Sequence, residues 1–449
     1  MEKIMLSEIA SALGKTINSD CGISDICTDT RNLNKGCVFI AIKGERFDAH
    51  DFVPKAIEQG AVMCITEREI PDCPCMVVDD CREAFLKIAH YYRMKFSIKL
   101  IGVTGSVGKT TTKEMISLVM SKKYKTLKTQ GNLNNEIGLP KTLLNLNSEC
   151  ESAVIEMGMS HFGEIHRLSC TASPDMAVIT NIGFSHIENL KSQEGILRAK
   201  LEILDGMAEN SPLVTNADDN LLCNLKSKLE RPVYTFGIDN PESDYRALNI
   251  NEHDNITEFD IAYSNKTVHV ILTAVGKHNV LNAVTAFAVG NICGIDDNTI
   301  ASAFSEFVPD SLRQNISVKK GQTVITDCYN ASPDSMRASL GVLANMKSDG
   351  RKVAVLGDML ELGEMSEELH RKVGEMAVSA NPDMLFCYGE QSAYIAHEAE
   401  KAGIKTYHSN DKNKLAEAVS DYVRTGDTVL FKASRGMKLE EIINRVYGE

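Results

Sequence analysis

The sequence predicts an α/β protein of three domains, and three observations support this fold class. The chain has 449 residues, which corresponds to about three domains of average size. Residues 100–103 form a short apolar run, followed by a glycine-rich loop and then by apolar residues at helical spacing. After residue 310, strand-like and helical patterns alternate, as a parallel sheet with crossover helices requires. The three domains are predicted over residues 1–96, 97–309 and 310–449.

The first domain is predicted to be a small α/β unit. An amphipathic pattern that includes Leu6 and Ile9 predicts an opening helix, and a helix predicted over residues 82–95 leads into the second domain. The polar residues that could bind a ligand lie in loops: Asp29, Thr30, Arg31, Asp48 and His50. From their spacing alone, we interpret these residues as turn-forming and solvated groups rather than as a binding site.

The central domain begins with the glycine loop Gly105-Ser-Val-Gly108-Lys109-Thr110. Glycines allow backbone N–H groups to surround phosphate oxygens, and the N-terminus of the following helix adds the positive end of its dipole. Lys109 is then placed to reach the β- and γ-phosphates, and the Thr110 hydroxyl to bind Mg²⁺. The usual phosphate loop has a glycine where this chain has Val103, so an ordinary glycine turn is the alternative. The Lys-Thr pair directly after Gly108 favours the phosphate site.

Two further strands of the central domain end near ionisable side chains. The strand predicted over residues 152–157 contains Glu156 at its end, and the strand predicted over 176–181 is followed by His186. Because ligands collect at the carboxyl ends of parallel strands, we expect Lys109, Glu156 and His186 to share one edge of the sheet. A carboxylate and a histidine beside a phosphate loop suit Mg²⁺ or Mn²⁺. A single histidine is more often structural than a metal ligand. Here its expected position at the same sheet edge as Lys109 and Glu156 favours a metal ligand.

The rest of the central domain adds amide side chains and an antiparallel extension. The loop at residues 129–140 contains three asparagines, more amide groups than a plain turn needs. Alternating polar and apolar residues over 245–274 predict antiparallel hairpins joined to the parallel sheet. Lys200 lies in a helix predicted over 194–207, where a surface lysine is the default interpretation. A further helix begins near residue 276 and carries His278, Asn279 and Asn282.

The C-terminal domain is predicted to be Rossmann-like. Its strands are predicted over residues 323–326, 353–356, 384–388 and 428–432. Polar residues follow these strands, namely Asp327, Asn330, Asp358, Lys432, Ser434 and Arg435. Dinucleotide binding is not indicated, because the segment has no G-x-G-x-x-G motif.

The net charge and the cysteine content indicate which kinds of partner and which compartment the chain fits. The net charge of −13 argues against nucleic acid or an anionic membrane as the main partner, so an anionic ligand needs a local basic site such as the Lys109 loop. The 13 cysteines are scattered without zinc-ligand spacing, which is typical of idle thiols in a reducing cytosol. The N-terminus has no signal-peptide pattern, and we expect a cytoplasmic protein. At this level a kinase, a ligase and a motor all remain open.

Several motifs carry a more specific resemblance, and together they cover essentially the whole chain. They are T-G-x-x-G-K-T at residues 104–110, G-N-x-N-N-x-I-G-x-P at 131–140, T-N-I-G-x-x-H-I-E at 180–188, D-x-Y-N-A-x-P at 327–333 and L-G-D-M-x-E-L-G at 356–363. This set closely resembles the Mur ligases of peptidoglycan synthesis, whose loop also lacks the early glycine. The family's D-G-H is Asp48-Ala-His50 here, and its N-A-N-P is Asn330-Ala-Ser-Pro333, and neither change removes an ionisable group.

The resemblance implies three domains: a UDP-binding N-terminal domain, a central ATPase and a Rossmann-like C-terminal domain. It is strongest with members that join D-alanyl-D-alanine to the free carboxylate of UDP-N-acetylmuramoyl-tripeptide, using ATP and an acyl phosphate. A ligase that adds a diamino acid, a folylpolyglutamate synthase and a non-catalytic nucleotide-sugar sensor are the alternatives. We expect a monomer that binds neither nucleic acid nor a membrane stably. Because the substrate sites belong to different domains, closure must precede chemistry.

The resemblance also assigns roles to residues. For ATP it implies Gly105, Ser106, Val107, Gly108, Lys109, Thr110, Thr111, Asn279, Asn282, Arg313 and Asp358. For Mg²⁺, or Mn²⁺, it implies Thr110, Glu156 and His186, and for catalysis Lys109, Glu156, His186 and Lys200. Lys200 is often carbamylated in the family. For the UDP group it implies Thr30, Arg31, Asp48 and His50, and for the remaining substrate groups Asn134, Asn135, Asp327, Asn330, Lys432, Ser434 and Arg435.

Overall fold

The N-terminal segment forms a small α/β unit. The computed structural model describes residues 1–44, 47–253 and 255–448. The first elements are β1 (Ile4–Met5), α1 (Leu6–Ala12), β2 (Gly22–Ile23), β3 (Ile26–Cys27), β4 (Val38–Ile40), α2 (Val53–Glu58), β5 (Met63–Thr66), β6 (Cys75–Val77) and α3 (Cys81–Arg93). Strands β3 to β6 form a parallel four-stranded sheet, and β1 pairs with β2. The apolar pattern that predicts the opening helix starts at Ile4. In the structure Ile4 lies in β1, and α1 begins two residues later, at Leu6.

Helix α3 connects this unit to the next one. Its N-terminus is capped by the Asp80 carboxylate, and one face buries Phe85 and Ile88. At the other end, Tyr92 Oη donates to Leu146 O at 2.6 Å and Arg93 Nε donates to Ala172 O at 3.1 Å. The helix therefore contacts both units. Arg82, in its first turn, lines the cavity between the larger sheets.

The central segment is built on a mixed nine-stranded sheet. Its elements are β7 (Lys99–Thr104), α4 (Lys109–Met120), β8 (Thr126–Lys128), α5 (Gly138–Leu143), β9 (Ser152–Glu156), α6 (Glu164–Ala172), β10 (Met176–Ile179), α7 (Ile187–Leu190), α8 (Gln193–Leu201), β11 (Leu213–Asn216), α9 (Leu225–Lys228), β12 (Val233–Gly237), β13 (Tyr245–His253), β14 (Ile256–Tyr263), β15 (Lys266–Leu272), α10 (Lys277–Ile292) and α11 (Asp297–Phe304). The strand order is β15-β14-β13-β12-β11-β10-β7-β9-β8. The β13–β14 and β14–β15 pairs are antiparallel and the others are parallel, which confirms the predicted antiparallel addition.

The C-terminal segment has a Rossmann-like sheet. Its elements are β16 (Asn315–Lys319), β17 (Gln322–Asp327), α12 (Pro333–Asn345), β18 (Lys352–Gly357), α13 (Ser366–Ala380), β19 (Met384–Tyr388), α14 (Ser392–Lys401), β20 (Thr406–Ser409), α15 (Lys412–Tyr422), β21 (Thr428–Lys432) and α16 (Glu440–Tyr447). The order is β16-β17-β21-β18-β19-β20, with β16 antiparallel at one edge and the other strands parallel. The α/β class is therefore confirmed, whereas the limits at residues 96 and 309 stay a prediction.

The two larger sheets face each other through the loops that follow their strands. Residues after β7, β9 and β10 on one side, and residues after β17 together with the end of β21 on the other, line one cavity of about 580 Å³. Parallel strands present their carboxyl ends at one edge, so the topology brings these loops together. Among the described residues, the helices are all too short or too polar to cross a membrane.

Candidate active site

The glycine loop after β7 is held rigidly against the neighbouring strand. Gly108 has φ of +84°, and a Cβ atom at Gly105 would lie 1.9 Å from Thr180 Oγ1, so both positions require glycine. Thr180 Oγ1 donates to Val107 O at 2.7 Å, and Asn181 Oδ1 accepts from the Val107 N–H at 2.9 Å. These contacts fix the loop before any ligand binds.

Lys109, the first residue of α4, folds back over this loop. Its Nζ donates to Gly105 O at 2.7 Å and to Ser106 O at 3.1 Å. Burial lowers the pKa of Lys109, the Glu156 charge opposes that shift, and the Arg313 cation adds to it. The site therefore holds two cations close together, one at the start of α4 and one in the segment between α11 and β16, and an anion between them would stabilise both.

Glu156, at the end of β9, is buried among neutral donors. Its Oε2 accepts from Thr110 Oγ1 at 2.9 Å, and its Oε1 accepts from Asn134 Nδ2 at 2.8 Å. The Glu156 N–H donates to Thr129 Oγ1 at 2.9 Å, which fixes the backbone at the end of the strand. A buried carboxylate and a hydroxyl thus meet beside the glycine loop, and Asn134 orients the carboxylate as the amide-rich loop suggests.

His186 follows β10 and contacts the opposite sheet. Its Nδ1 lies 2.6 Å from Glu361 Oε2, and both residues have a left-handed backbone with φ of 63° and 64°. The His186 ring beside it lowers the pKa of Glu361, against the effect of burial. Two strained non-glycine residues therefore meet across the cavity. We had not predicted Glu361 as a site residue, although it belongs to the motif at residues 356–363.

Lys200 is not a surface lysine. Its side chain, on α8, is 2% exposed and lines the cavity. Burial and then the nearby Lys109 cation lower the pKa of Lys200 well below its usual value. Among the described residues, no carboxylate lies within ion-pair distance of its Nζ. Burial and the Lys109 cation thus both disfavour the charged form of the Lys200 amine.

The N-terminus of α10 contributes a cluster of amides. Asn279 Nδ2 donates to Gln314 Oε1 at 3.0 Å, and Asn282 Nδ2 donates to Asn279 Oδ1 at 3.3 Å. His278 Nε2 also contacts Gln314 Oε1, and burial lowers the pKa of His278. Gln314 lies in the segment that joins the two larger sheets, so its place could not be inferred from spacing.

The C-terminal side of the cavity contains a buried ion pair. Lys432 Nζ donates to Asp327 Oδ2 at 2.6 Å and to Asn330 O at 3.2 Å, and the Lys432 side chain is 1% exposed. Burial raises the pKa of Asp327, but the Lys432 charge and hydrogen bonds from Lys432 and Ser339 lower it below its usual value overall. Arg313 stacks over Tyr329, with Cζ 3.7 Å from the ring centroid, and points its charge into the same space.

Most of the predicted residues meet at this one cavity. Those that line it are Ser106, Val107, Gly108, Lys109, Thr110, Thr111, Asn134, Asn135, Glu156, His186, Lys200, Asn279, Asn282, Arg313, Asp327, Asn330 and Lys432. Gly105 lies directly behind them in the loop. Asn135 also accepts the Gly138 N–H at 2.9 Å, so it has a structural contact as well.

Three of the predicted C-terminal residues, Asp358, Ser434 and Arg435, are not among the residues that line the cavity. The Asp358 carboxylate accepts the Ser392 N–H at 2.7 Å, which occupies it at the start of α14. Ser434 Oγ accepts the Leu360 N–H at 2.9 Å, and Arg435 pairs with Glu440 at 2.7 Å on the surface. Each of these groups stabilises the turns behind the site rather than the cavity itself.

The four N-terminal predictions also lie outside the cavity. His50 is 2% exposed; its Nδ1 lies 2.6 Å from Asp48 Oδ1, and its Nε2 accepts the Glu67 N–H at 2.8 Å. Thr30 is buried, and Arg31 forms an exposed ion pair with Asp29. They form a separate group at the carboxyl end of the N-terminal sheet.

Instead of these residues, α3 supplies Arg82 to the cavity, a residue that we had not predicted. Its Nη2 donates to Lys43 O at 3.2 Å, which connects the cavity wall to the N-terminal sheet.

Comparison with known proteins gives one consistent family. Residues 22–91 match the catalytic domain of the Mur ligase family, residues 103–290 the Mur ligase middle domain, and residues 313–435 the Mur ligase glutamate ligase domain.

Among curated relatives, the chain is 42% identical to the UDP-N-acetylmuramoyl-tripeptide–D-alanyl-D-alanine ligase of Bacillus subtilis strain 168, over 94% of this chain and 92% of the relative. It is 37% identical to the protein of the same name from Escherichia coli K12, over 99% and 98% of the two chains.

Solved structures agree with this result. A crystal structure of MurF from Acinetobacter baumannii matches all of both chains with a TM-score of 0.93 and 30% identity. The MurF ligase of Thermotoga maritima, solved in complex with ADP, matches 95% of this chain and 97% of that chain with a TM-score of 0.84 and 31% identity. The chain belongs to the Mur ligase family.

Proposed function

We propose that this chain is an ATP-dependent ligase that joins D-alanyl-D-alanine to the free carboxylate of UDP-N-acetylmuramoyl-tripeptide in peptidoglycan synthesis. The names of its full-length relatives support these substrates. The observation that carries the proposal is the single cavity that receives the Lys109 loop, buried Glu156 and the Lys432–Asp327 pair. A phosphate loop, a carboxylate and an ion pair in one space suit the activation of an acid by ATP.

The chemistry requires cations because its two reactants repel each other. A carboxylate does not react with amines, since its leaving group would be oxide, whereas an acyl phosphate has phosphate as its leaving group. The tripeptide carboxylate must first attack the γ-phosphate, and both carry negative charge. Lys109 and Arg313 lie close enough for their charges to influence each other, and the γ-phosphate is the group that we place between them.

The residues beside the glycine loop also fit a divalent metal ion. Thr110 Oγ1 and Glu156 Oε2, which lie 2.9 Å apart, are the hard oxygen ligands that Mg²⁺ or Mn²⁺ prefers, and His186 would serve a second ion. Among the described residues no group of three or more ionisable ligands forms a cage, as expected where substrate phosphates complete the coordination. When bound, the metal ion would neutralise phosphate charge.

Lys200 suits a carbamate. A neutral amine can add CO₂ and release one proton, which leaves a carboxylate-like anion on the side chain. The depressed pKa of Lys200 favours the amine that this reaction needs, and the Lys109 cation would then attract the product instead of repelling it. We propose that this carboxylate-like group helps His186 to bind the second metal ion.

The remaining substrate groups are assigned by position. We place the dipeptide near Asp327, Asn330 and Lys432. The tripeptide is placed between the Lys432–Asp327 pair and Arg82, where Asn134 and Asn135 line the cavity. Thr30, Arg31, Asp48 and His50 stay assigned to the UDP group at the N-terminal sheet. Asp358 stays assigned to the ribose of ATP, and Ser434 and Arg435 stay assigned to the reaction centre or the dipeptide.

An assay of ADP release tests the proposal. The wild-type protein should form ADP when ATP, UDP-N-acetylmuramoyl-tripeptide and D-alanyl-D-alanine are all present, and should form none when glutamate or a diamino acid replaces the dipeptide. Lys109→Ala should form no ADP. Equal ADP formation with a diamino acid would identify a different Mur-type ligase, and ADP formation by Lys109→Ala would remove the loop from the mechanism. Tripeptides that end in lysine or meso-diaminopimelate should be compared in the same assay.

A further inference from the structure

The backbone fixes the polarity of the amide cluster at the start of α10. The Val275 carbonyl accepts a hydrogen bond from Asn279 Nδ2 at 2.9 Å and another from Gln314 Nε2 at 2.9 Å. A carbonyl oxygen only accepts, so each amide atom that faces it must be the nitrogen. The two amides therefore cannot be flipped without placing oxygen against oxygen.

The same constraint determines the other contacts of Gln314. Because Nε2 faces Val275, Oε1 is the atom that accepts from Asn279 Nδ2 at 3.0 Å and from His278 Nε2. Both N–H groups of the Asn279 amide are thereby used. Gln314 is 9% exposed and Asn279 is 6% exposed, so water is a poor substitute for these partners.

Two polar atoms of the cluster remain for a ligand. Asn282 Oδ1 accepts from the Thr112 hydroxyl at 3.0 Å, so its nitrogen is the outer atom. That nitrogen makes one long contact to Asn279 Oδ1 at 3.3 Å and keeps a second N–H. Asn279 Oδ1 keeps a lone pair. The cavity wall thus presents an acceptor beside a donor, next to the glycine loop.

We propose that Gln314 strengthens the base specificity of this site, because it and the Val275 carbonyl together hold Asn279 with its oxygen toward the cavity. Adenine offers an amino donor beside a ring-nitrogen acceptor, which is the complement of this wall, whereas guanine has the O6 acceptor in place of the amino group. With the Val275 carbonyl as the remaining acceptor, a flipped Asn279 amide would lose one hydrogen bond instead of two, so guanine would be accepted more readily. The inference rests on the proposed binding of ATP in this cavity.

Direct binding of AMP-PNP and GMP-PNP, each with Mg²⁺, to the full chain tests this proposal without the peptide substrates. Gln314→Met removes one of the two acceptors that hold Asn279 while keeping the volume. We expect its preference for AMP-PNP over GMP-PNP to fall by roughly tenfold, the factor that about 1.4 kcal/mol represents. Gln322→Met is the matched control, because Gln322 is also buried but pairs with Tyr447 at 2.7 Å, outside the cavity. It should keep the wild-type preference.

A wild-type preference in Gln314→Met, or an equal loss in both variants, would overturn the proposal. If Gln314→Met does not fold, an AMP-PNP analogue without the 6-amino group replaces the variant: it should bind the wild type as weakly as GMP-PNP, and binding as tight as that of AMP-PNP would overturn the proposal. An AMP-PNP preference that falls in Gln314→Met but not in Gln322→Met, in a protein whose wild type forms no ADP with the three substrates, would refute the proposed reaction and still support this inference.

Discussion

At the residue scale, the site is defined by charged groups whose positions are set by neutral ones. Glu156 is oriented by Thr110 and Asn134, and Lys109 by the carbonyls of its own loop. Such partners are worth more in a buried site than in water, because the competing solvent is excluded. Changing a single charge should therefore alter function more than stability.

Glu156→Gln tests the proposed metal ligand. The substitution keeps the shape of the side chain but removes its charge, so Mn²⁺ should bind the complex with AMP-PNP at least roughly tenfold more weakly. Titration followed by electron paramagnetic resonance measures this directly. Glu149→Gln, which alters an exposed ion pair with Lys125, is the control and should bind Mn²⁺ as the wild type does. Unchanged Mn²⁺ affinity in Glu156→Gln would remove it from the metal site.

Lys200 offers a test that does not depend on turnover. With ¹³C-labelled bicarbonate, the wild type should give a carbamate signal in the ¹³C NMR spectrum, and Lys200→Ala should not. The variant should lose most ADP-forming activity and regain part of it with short carboxylates, which would replace the missing anion. Lys191→Ala, an exposed lysine that precedes α8, should keep both the signal and the activity. Full activity of Lys200→Ala without added carboxylate would contradict the proposed role.

At the scale of elements, the strands and loops that carry the site could be predicted where their signals are local. The β7–loop–α4 unit follows from adjacent glycines and the Lys-Thr pair, and the β13–β15 hairpins follow from alternation. The resemblance assigns Asp358 to ATP, and in the structure its carboxylate accepts the Ser392 N–H at the start of α14. A motif shows that a residue is near the edge of a sheet and does not show which way its side chain turns.

The turn after β4 makes a pH-dependent contribution to stability. Hydrogen bonds from His50 lower the pKa of Asp48 from 3.8 to about 2. A carboxyl group whose pKa is lower in the folded state stabilises the protein above about pH 4, and this stabilisation is lost as the pH falls toward 2. Asp48→Asn should therefore unfold at a lower temperature than the wild type at neutral pH, and the difference should shrink in acid.

Thermal unfolding at several pH values measures that difference. Asp51→Asn is the control, because Asp51 is exposed in the same turn. A gap between Asp48→Asn and the wild type that stays constant from neutral pH to pH 3 would contradict the assigned pKa.

At the scale of the whole molecule, the site exists only where the two larger sheets meet. His186 contacts Glu361, and Gln314 contacts Asn279, across this boundary. A Cβ atom at Gly363 would lie 2.9 Å from the Glu188 side chain, which shows how closely the loop after β18 approaches α7. Contacts between residues that lie far apart in the sequence leave no periodic signal, and for this reason Glu361, Gln314 and Arg82 could not be predicted.

These polar contacts should make closure sensitive to single residues. Glu361→Ala removes the partner of His186, so the variant should have a larger radius of gyration in small-angle X-ray scattering than the wild type. AMP-PNP, Mg²⁺ and the UDP-tripeptide should reduce that difference, because they bind both sides of the cavity. Glu364→Ala, in the same loop and exposed, should scatter as the wild type does. Identical profiles for all three proteins, with and without ligands, would argue against a movement of the domains.

The account depends most on the meeting of ATP and the tripeptide carboxylate at the Lys109 loop. A crystal structure with AMP-PNP and Mg²⁺ tests this directly. We predict the γ-phosphate within hydrogen-bonding distance of Lys109 Nζ, with Arg313 on its other side and the base against Asn279. A triphosphate bound elsewhere, with Lys109 still bonded to the Gly105 and Ser106 carbonyls, would contradict the mechanism.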